Sequence, residues 1–519
     1  MNAQSIFSRL AILLVLLAAA CAPAATPTMI ANEPLTAPAE QAASPLPTRA
    51  PEIHVEPAAT AAAPAPAGMR DNYFQDYGVN PLTDTNRDHL STFAIDVDTA
   101  SYAVTRRYIN DGALPPIDAV RAEEFINAFD QGYAPPRDSA FAIYADGAPA
   151  PFSDQPGYLL RIGIQGYQVP EEVRKPANLT FVIDISGSMN MENRLGLVKR
   201  SLNLLVERLQ PADTVAIVVY GSDAYAVLEP TAGSQRRAIQ RAINRLQTEG
   251  ATNAEQGLRL GYEYAMRMYQ PEETNRVILC SDGVANVGTT SADGILEFVG
   301  GFVDEGIDLT TVGFGMGNFN DVLLEQLADR GNGAYHYVDT LEEARKLFVE
   351  DLTSTLEVIA YDAKVQVDFN PEIVENYRLV GYENRAVADD DFRNDAVDAG
   401  EIGAGHTITA LYEVQLYEGS EGRIGTVQLR WQDADTRAVR EINGNFNTWD
   451  LTAQFSETDP HFQLTAAVAA YAEVLRASPY VNASLNEILR VSQRAARMLP
   501  ENEQANEFVD LVRRSTRLR

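Results

Sequence analysis

Residues 176–356 repeat one alternation: a short Val/Ile/Leu run, a small polar break, then an amphipathic helical pattern. The strand-like runs fall at 179–185, 214–220, 277–280, 309–314 and 334–338, with an extra edge strand at 224–228. Helical periodicity covers 194–209, 236–246, 254–268, 292–305, 319–328 and 341–356. Apolar strands separated by helices require a parallel sheet covered on both faces, because each strand must bury both of its sides. Right-handed crossovers make such a sheet doubly wound, and its ligand site lies beyond the strands' C-terminal ends at a switch point. The expected fold class is α/β, with a doubly wound, mostly parallel sheet.

The first strand carries oxygen donors to that edge. Leu179, Phe181, Val182 and Ile183 are β-formers, and the run ends in Asp184, followed by Ser186 and Ser188. Their alternation lets three oxygens converge where a buried strand breaks into a loop. Hydroxyls mixed with carboxylates suit a hard divalent cation, Mg²⁺ first, with Mn²⁺ or Ca²⁺ as alternatives. Two later loops add donors of the same kind. Thr252 lies in TEGATNAEQGL, where Gly250 frees the backbone before a helix, and Asp282 ends the apolar strand in RVILCSDGVANVG.

These three loops, in order on an α/β background, resemble the metal-ion-dependent adhesion site of a von Willebrand factor type A (vWA) domain. The resemblance covers 176–356. It implies that Ser186, Ser188 and Thr252 offer hydroxyl oxygens to the ion, while Asp184 and Asp282 bind mostly through water and fix those hydroxyls. A cation held this way keeps excess positive charge and an exchangeable water, so an Asp or Glu of a protein partner can complete its shell. Two blander readings stay open: strand-end polar residues satisfying loop amides, or an ion that only stabilises the fold.

A chain of 519 residues is too long for one core. FAIDVDTASYA at 93–103 and DAGEIGAGHTITALYEV at 398–414 are similar to the flanks of a bacterial family of vWA lipoproteins. Strand-like runs at 141–144 and 158–165 precede the α/β region, and others at 363–368, 377–382, 406–416 and 425–431 follow it. The two sets are expected to join as one β-sandwich interrupted by the α/β insert, since insertion at a surface loop is tolerated. Helical patterns then run over 464–477, 485–498 and from 504 onward. The expected layout is a signal at 1–21, a linker at 22–70, an N-terminal α/β segment at 71–137, β-rich parts at 138–175 and 357–450 around the vWA domain at 176–356, and a helical region at 451–519.

Residues 1–20 hold Arg9, a short apolar run at 10–17 and three alanines before Cys21. The run is too short to span a membrane and has the shape of a secretory signal. Small residues directly before a cysteine resemble a bacterial lipoprotein signal, which implies an acylated Cys21 and a lipid anchor outside the cytoplasm. Ala18 stands where that pattern usually has Leu, so cleavage after Ala20 and secretion is the alternative. Residues 22–68, dominated by Ala, Pro and Thr, cannot bury enough apolar surface to fold and read as a disordered stalk. Cys280, inside an apolar strand, reads as a buried free thiol. A net charge of −31 argues against nucleic-acid binding, which needs clustered Lys and Arg.

Other motifs compete for attention. Strand-Asp96-Val97-Asp98 resembles the nucleophile loop of haloacid-dehalogenase-type phosphotransferases, but Ala100 departs from that pattern, and Asp98, Thr99 and Ser101 can instead cap the next helix. Asp389, Asp390, Asp391, Asp395 and Asp398 lack calcium-loop spacing and read as a solvated loop, with His406 a strand residue. Arg513, Arg514, Arg517 and Arg519 suit a helix end. The sequence thus points to a cell-envelope lipoprotein whose vWA domain makes metal-dependent protein contacts and is not an enzyme. A metal-dependent hydrolase finds few bases, because none of the five histidines lies in the three loops. A metal-independent envelope scaffold is the remaining alternative.

Overall fold

The computed structural model describes residues 28–31, 33–34, 72–95, 98–153, 156–283, 292–316, 320–395, 397 and 399–518. Cys21, Asp96 and Asp398 lie outside the described residues. In chain order the first part holds β1 (Thr28–Ala31), β2 (Glu33–Pro34), β3 (Thr83–Asp84), β4 (Leu90–Ala94), α1 (Ala100–Asn110), α2 (Ala122–Asn127), β5 (Phe141–Pro149) and β6 (Tyr158–Gly166). The central part runs β7 (Ala177–Asp184), α3 (Arg194–Arg208), β8 (Thr214–Tyr220), β9 (Ala224–Ala232), α4 (Arg236–Arg245), α5 (Ala254–Met268) and β10 (Thr274–Ser281). It continues with α6 (Ala292–Val303), β11 (Asp308–Phe314), α7 (Asp321–Arg330), β12 (Tyr335–Val338), α8 (Leu341–Arg345) and α9 (Leu352–Leu356). The last part is β13 (Val358–Phe369), β14 (Val374–Val380), β15 (Gly400–Gly403), β16 (Thr407–Leu416), β17 (Arg423–Asp433), β18 (Val439–Asn447), α10 (Pro460–Leu475), α11 (Leu485–Met498) and α12 (Glu503–Ser515).

The central sheet has the order β12-β11-β10-β7-β8-β9, parallel except for the antiparallel edge strand β9. All eight residues of β7 are buried, as a strand covered on both faces requires. Leu179, Phe181 and Ile183 pack against α3 and α4, whereas Val182 faces α5, α6 and α7. Chain order runs outward from β7 to β8 on one side and to β10 on the other, so β7 is the switch point. Cys280 of β10 is a buried free thiol, and burial pushes it up to about 12.

Two further sheets form the sandwich around this insert. One runs β1-β5-β6-β16-β14-β3; the other runs β15-β13-β17-β18-β2, with β4 paired to β13. Phe141, Ile143, Ile162 and Ile164 before the insert share a core with Val365, Val367, Val427 and Leu429 after it. The outer face of the first sheet, at Leu159, Val380 and Leu411, is covered by helices from both ends of the chain. There Phe125 and Phe129 pack with Tyr471 and Phe508.

Several expectations are corrected. Within the stalk, β1 pairs with β5 and β2 with β18, because sheet edges offer unpaired amides and carbonyls to any extended segment beside them. The N-terminal segment is not separate: β3 and β4 join the sandwich sheets, and α2 shares a core with α10 to α12. The helix expected over 341–356 breaks at Asp351 after a π turn. Thr99 makes no side-chain cap on α1; the Ser101 amide instead donates to Glu124 at 2.7 Å, and Asp98 accepts the Tyr335 amide at 2.8 Å. The second acidic cluster is a solvent-facing loop as read, with Asp390 and Asp395 exposed and Asp395 paired with Arg430 at 2.6 Å, whereas His406 is not in a strand but accepts the Gly403 amide in the turn before β16.

Candidate metal centre

Asp184 ends β7 fully buried, and its Oδ1 accepts the Ser186 amide at 2.7 Å. That bond folds the loop back, so that Ser186 Oγ and Ser188 Oγ stand 2.9 Å apart. Met189, buried one residue later, anchors the loop, while Gly187 is exposed and Ser188 half-buried. The hydroxyl pair thus sits on a fixed base with a side open to solvent.

The other loops meet this one through the backbone. The Glu249 amide donates to Ile185 O at 2.6 Å, the Gly187 amide to Gly250 O at 3.2 Å, and the Asn253 amide to Gly221 O at 3.0 Å. Gly250 has φ +75°, and a Cβ there would lie 2.5 Å from Ser222 Oγ, so the close approach needs glycine. Asn253 then caps α5 by accepting the Gln256 amide. Thr252, half-buried, forms no side-chain hydrogen bond with the other four candidates among the described residues. From β10, Ser281 Oγ donates to Asp184 Oδ2 at 3.2 Å and accepts the Gly283 amide. The structure therefore joins Asp184, Ser186 and Ser188 directly, places Asp282 next to Ser281, and brings Thr252 alongside on its loop.

One partner was not read from the sequence. Arg194, at the start of α3, is buried and donates through Nη1 to Asp282 Oδ2 at 2.7 Å, and through Nη2 to the Met316 carbonyl. Nearby, Arg107 of α1 binds Glu192 of the first loop at 2.6 Å, linking that loop to the N-terminal helix.

Burial first, and then the Asp282 charge, push the Asp184 carboxyl up to about 6, against lowering bonds from Ser186 and Ser281. With the folded value above the ordinary 3.8, folding favours the neutral acid; that contribution is full below 3.8 and lost as pH rises through about 6. In chelator, Asp184→Asn is expected to gain on the order of 3 kcal/mol over wild type at neutral pH, with the gain vanishing near pH 4. Urea midpoints across this range measure it; a pH-independent difference would show an ordinary carboxyl. Two crowded carboxylates beside a pair of neutral hydroxyls are a donor set that fits a hard dication.

A doubly wound domain with an Asp-x-Ser-x-Ser loop at its switch point defines a vWA-domain protein. Residues 178–354 match the family model for the von Willebrand factor type A domain, and 68–160 match a second model described as von Willebrand factor. Residues 354–424 and 416–518 match the model "Uncharacterized protein YfbK, C-terminal". Over 463 residues the chain is 36% identical to YfbK of Escherichia coli K12, covering 85% of this chain and 80% of that protein. The chain belongs to the YfbK family. It is also 27% identical over 290 residues to human inter-alpha-trypsin inhibitor heavy chain H3, covering 53% of this chain and 28% of that one. Among solved structures, a von Willebrand factor type A protein from Catenulispora acidiphila aligns with 74% of this chain and 91% of its own, at 14% identity and a TM-score of 0.43.

Proposed function

We propose that this chain is a cell-envelope lipoprotein, anchored through Cys21, whose vWA domain contacts a protein partner through a divalent ion. The observation that supports this reading most is the buried Asp184 accepting the Ser186 amide at the switch point, which leaves the Ser186 and Ser188 hydroxyls 2.9 Å apart, with Asp282 just past the end of the neighbouring strand. Ser186, Ser188 and Thr252 would hold Mg²⁺ by their hydroxyls, with Asp184 and Asp282 behind them. A bound ion would supply a Lewis-acidic point for a partner's Asp or Glu carboxylate. The chain's own part is to fix the hydroxyls through Asp184, keep the loop seated through Met189 and leave Ser188 open to solvent. The role is binding, not catalysis; phosphatase or esterase activity that disappears in Asp282→Ala would replace this reading.

Mg²⁺ at about ten times its Kd is expected to raise the wild-type melting transition by roughly 1–2 °C. Ser186→Ala should remove the rise while leaving the metal-free melting temperature nearly unchanged. Absence of any Mg²⁺ or Mn²⁺ shift in wild type would reject the metal centre. Crosslinking pull-down from membranes, with Mg²⁺ or chelator, then tests partner capture; recovery indifferent to chelator would point to the scaffold reading.

A further inference from the structure

We infer that the groove between β9 and α4 receives an acidic segment of the protein partner, continuing from the metal face; this rests on the metal-dependent contact proposed above. The groove encloses about 570 Å³ and is lined by Ile185, Tyr225, Val227, Arg241, Arg245 and Glu249, among others. The groove adjoins the candidate metal centre: its buried lining residue Ile185 lies between Asp184 and Ser186, and the Ile185 carbonyl accepts the Glu249 amide.

The groove's charge is unusual for this chain. Helix α4 reads RRAIQRAINR, with four arginines and no acid, in a protein of net charge −31. Arg237, Arg241 and Arg245 recur every fourth residue, so they form one exposed stripe. Among the described residues none of the three has a carboxylate at ion-pair distance; Arg241 Nε donates only to the Arg237 carbonyl. The buried arginines elsewhere, such as Arg106, Arg174 and Arg378, are all paired. Glu249, the acid in the lining, accepts the Tyr225 hydroxyl at 2.8 Å.

Spacing selects the occupant. Arg241 and Arg245 lie about 6 Å apart along the helix axis. Alternate residues of an extended segment lie about 6.6 Å apart on one side. A segment of the form acid-x-acid can therefore place successive carboxylates over the two arginines, with its apolar residues toward Val227 and its leading carboxylate toward the metal loops.

The test uses the full chain in detergent and a pool of fluorescein-labelled dodecapeptides with Asp or Glu at alternate positions, against the matching Asn/Gln pool. Fluorescence anisotropy should show salt-sensitive binding of the acidic pool alone. Arg241→Glu with Arg245→Glu, both exposed, should weaken it at least about tenfold with an unchanged melting temperature, because like charges then face each other. The weakening should appear in Mg²⁺ and in chelator alike, so a failed metal centre shows as wild-type binding indifferent to chelator, separately from the groove result. Equal affinity of wild type and double variant would overturn the inference. So would binding of phosphatidylglycerol vesicles, or self-association, in place of peptide.

Discussion

Replacing Arg121 with Met is expected to destabilise the chain by about 3–5 kcal/mol, the cost of leaving buried charges without their partner. Arg121 precedes α2 and is almost fully buried. It pairs with Glu124 of α2, and with Asp321 of the vWA helix α7 at 2.7 Å. Glu325, one turn further along α7, lies 3.7 Å away, and Tyr335 donates its hydroxyl to Asp321 at 2.8 Å. Without Arg121 the three buried carboxylates lose the cation they share, although Arg385 still reaches Glu325 at 3.3 Å and Asp98 at 3.2 Å. Adding Asp321→Asn should recover part of the loss, because it removes one of the stranded charges. This network, with Arg106 bridging Glu343 of the vWA domain to Glu507 of α12, fixes the insert against the helical body. Calorimetry should therefore show one wild-type transition separating into two in the variant. A variant within about 0.5 kcal/mol of wild type would place these charges in effective contact with water.

The same network shows where sequence reading stops. The central sheet was legible because fully buried strands and periodic helices are local signals: the expected 214–220 and 254–268 coincide with β8 and α5. Strand β3, of two residues, carries no such signal and is decided by pairing with β14, whereas β4 overlaps the strand read just before Asp96 and takes its place beside β13. Strand β18 was missed for a related reason, since VREINGNFN is polar and gains its place from β17 on one side and β2 on the other. The break at Asp351 was hidden because Leu347, Phe348, Leu352 and Leu356 all remain buried, so the apolar period runs straight through it. At the candidate site, strand-ending acids and hydroxyls were visible one loop at a time. Arg194 was not, although it recurs in phase with buried Val198, Leu202 and Leu205 of α3. A charge inside a buried stripe requires a buried counter-charge, and that signal leads to Asp282.

Arg194→Met tests how Asp282 is held ready. The arginine takes up Asp282 Oδ2 and the Met316 carbonyl, and a Cβ on Gly315 would lie within 3 Å of its side chain, so the guanidinium is closely packed. With the arginine present, the two carboxylates and one guanidinium sum to a single negative charge; without it the set carries two. The metal-free variant should lose about 3–5 kcal/mol, since Asp282 is then a buried charge beside Asp184 with no cation. Under the proposed metal reading, Mg²⁺ should return more stability to the variant than to wild type, because the dication meets one more unit of negative charge. The rise in melting temperature with Mg²⁺ should therefore exceed that of wild type. Arg194→Lys separates charge from geometry. It keeps the positive charge but not the planar fork, so its Mg²⁺ response should fall back toward wild type while its metal-free stability stays low. Equal Mg²⁺ responses in all three proteins would mean that Arg194 supports the loop without setting the charge of the metal face.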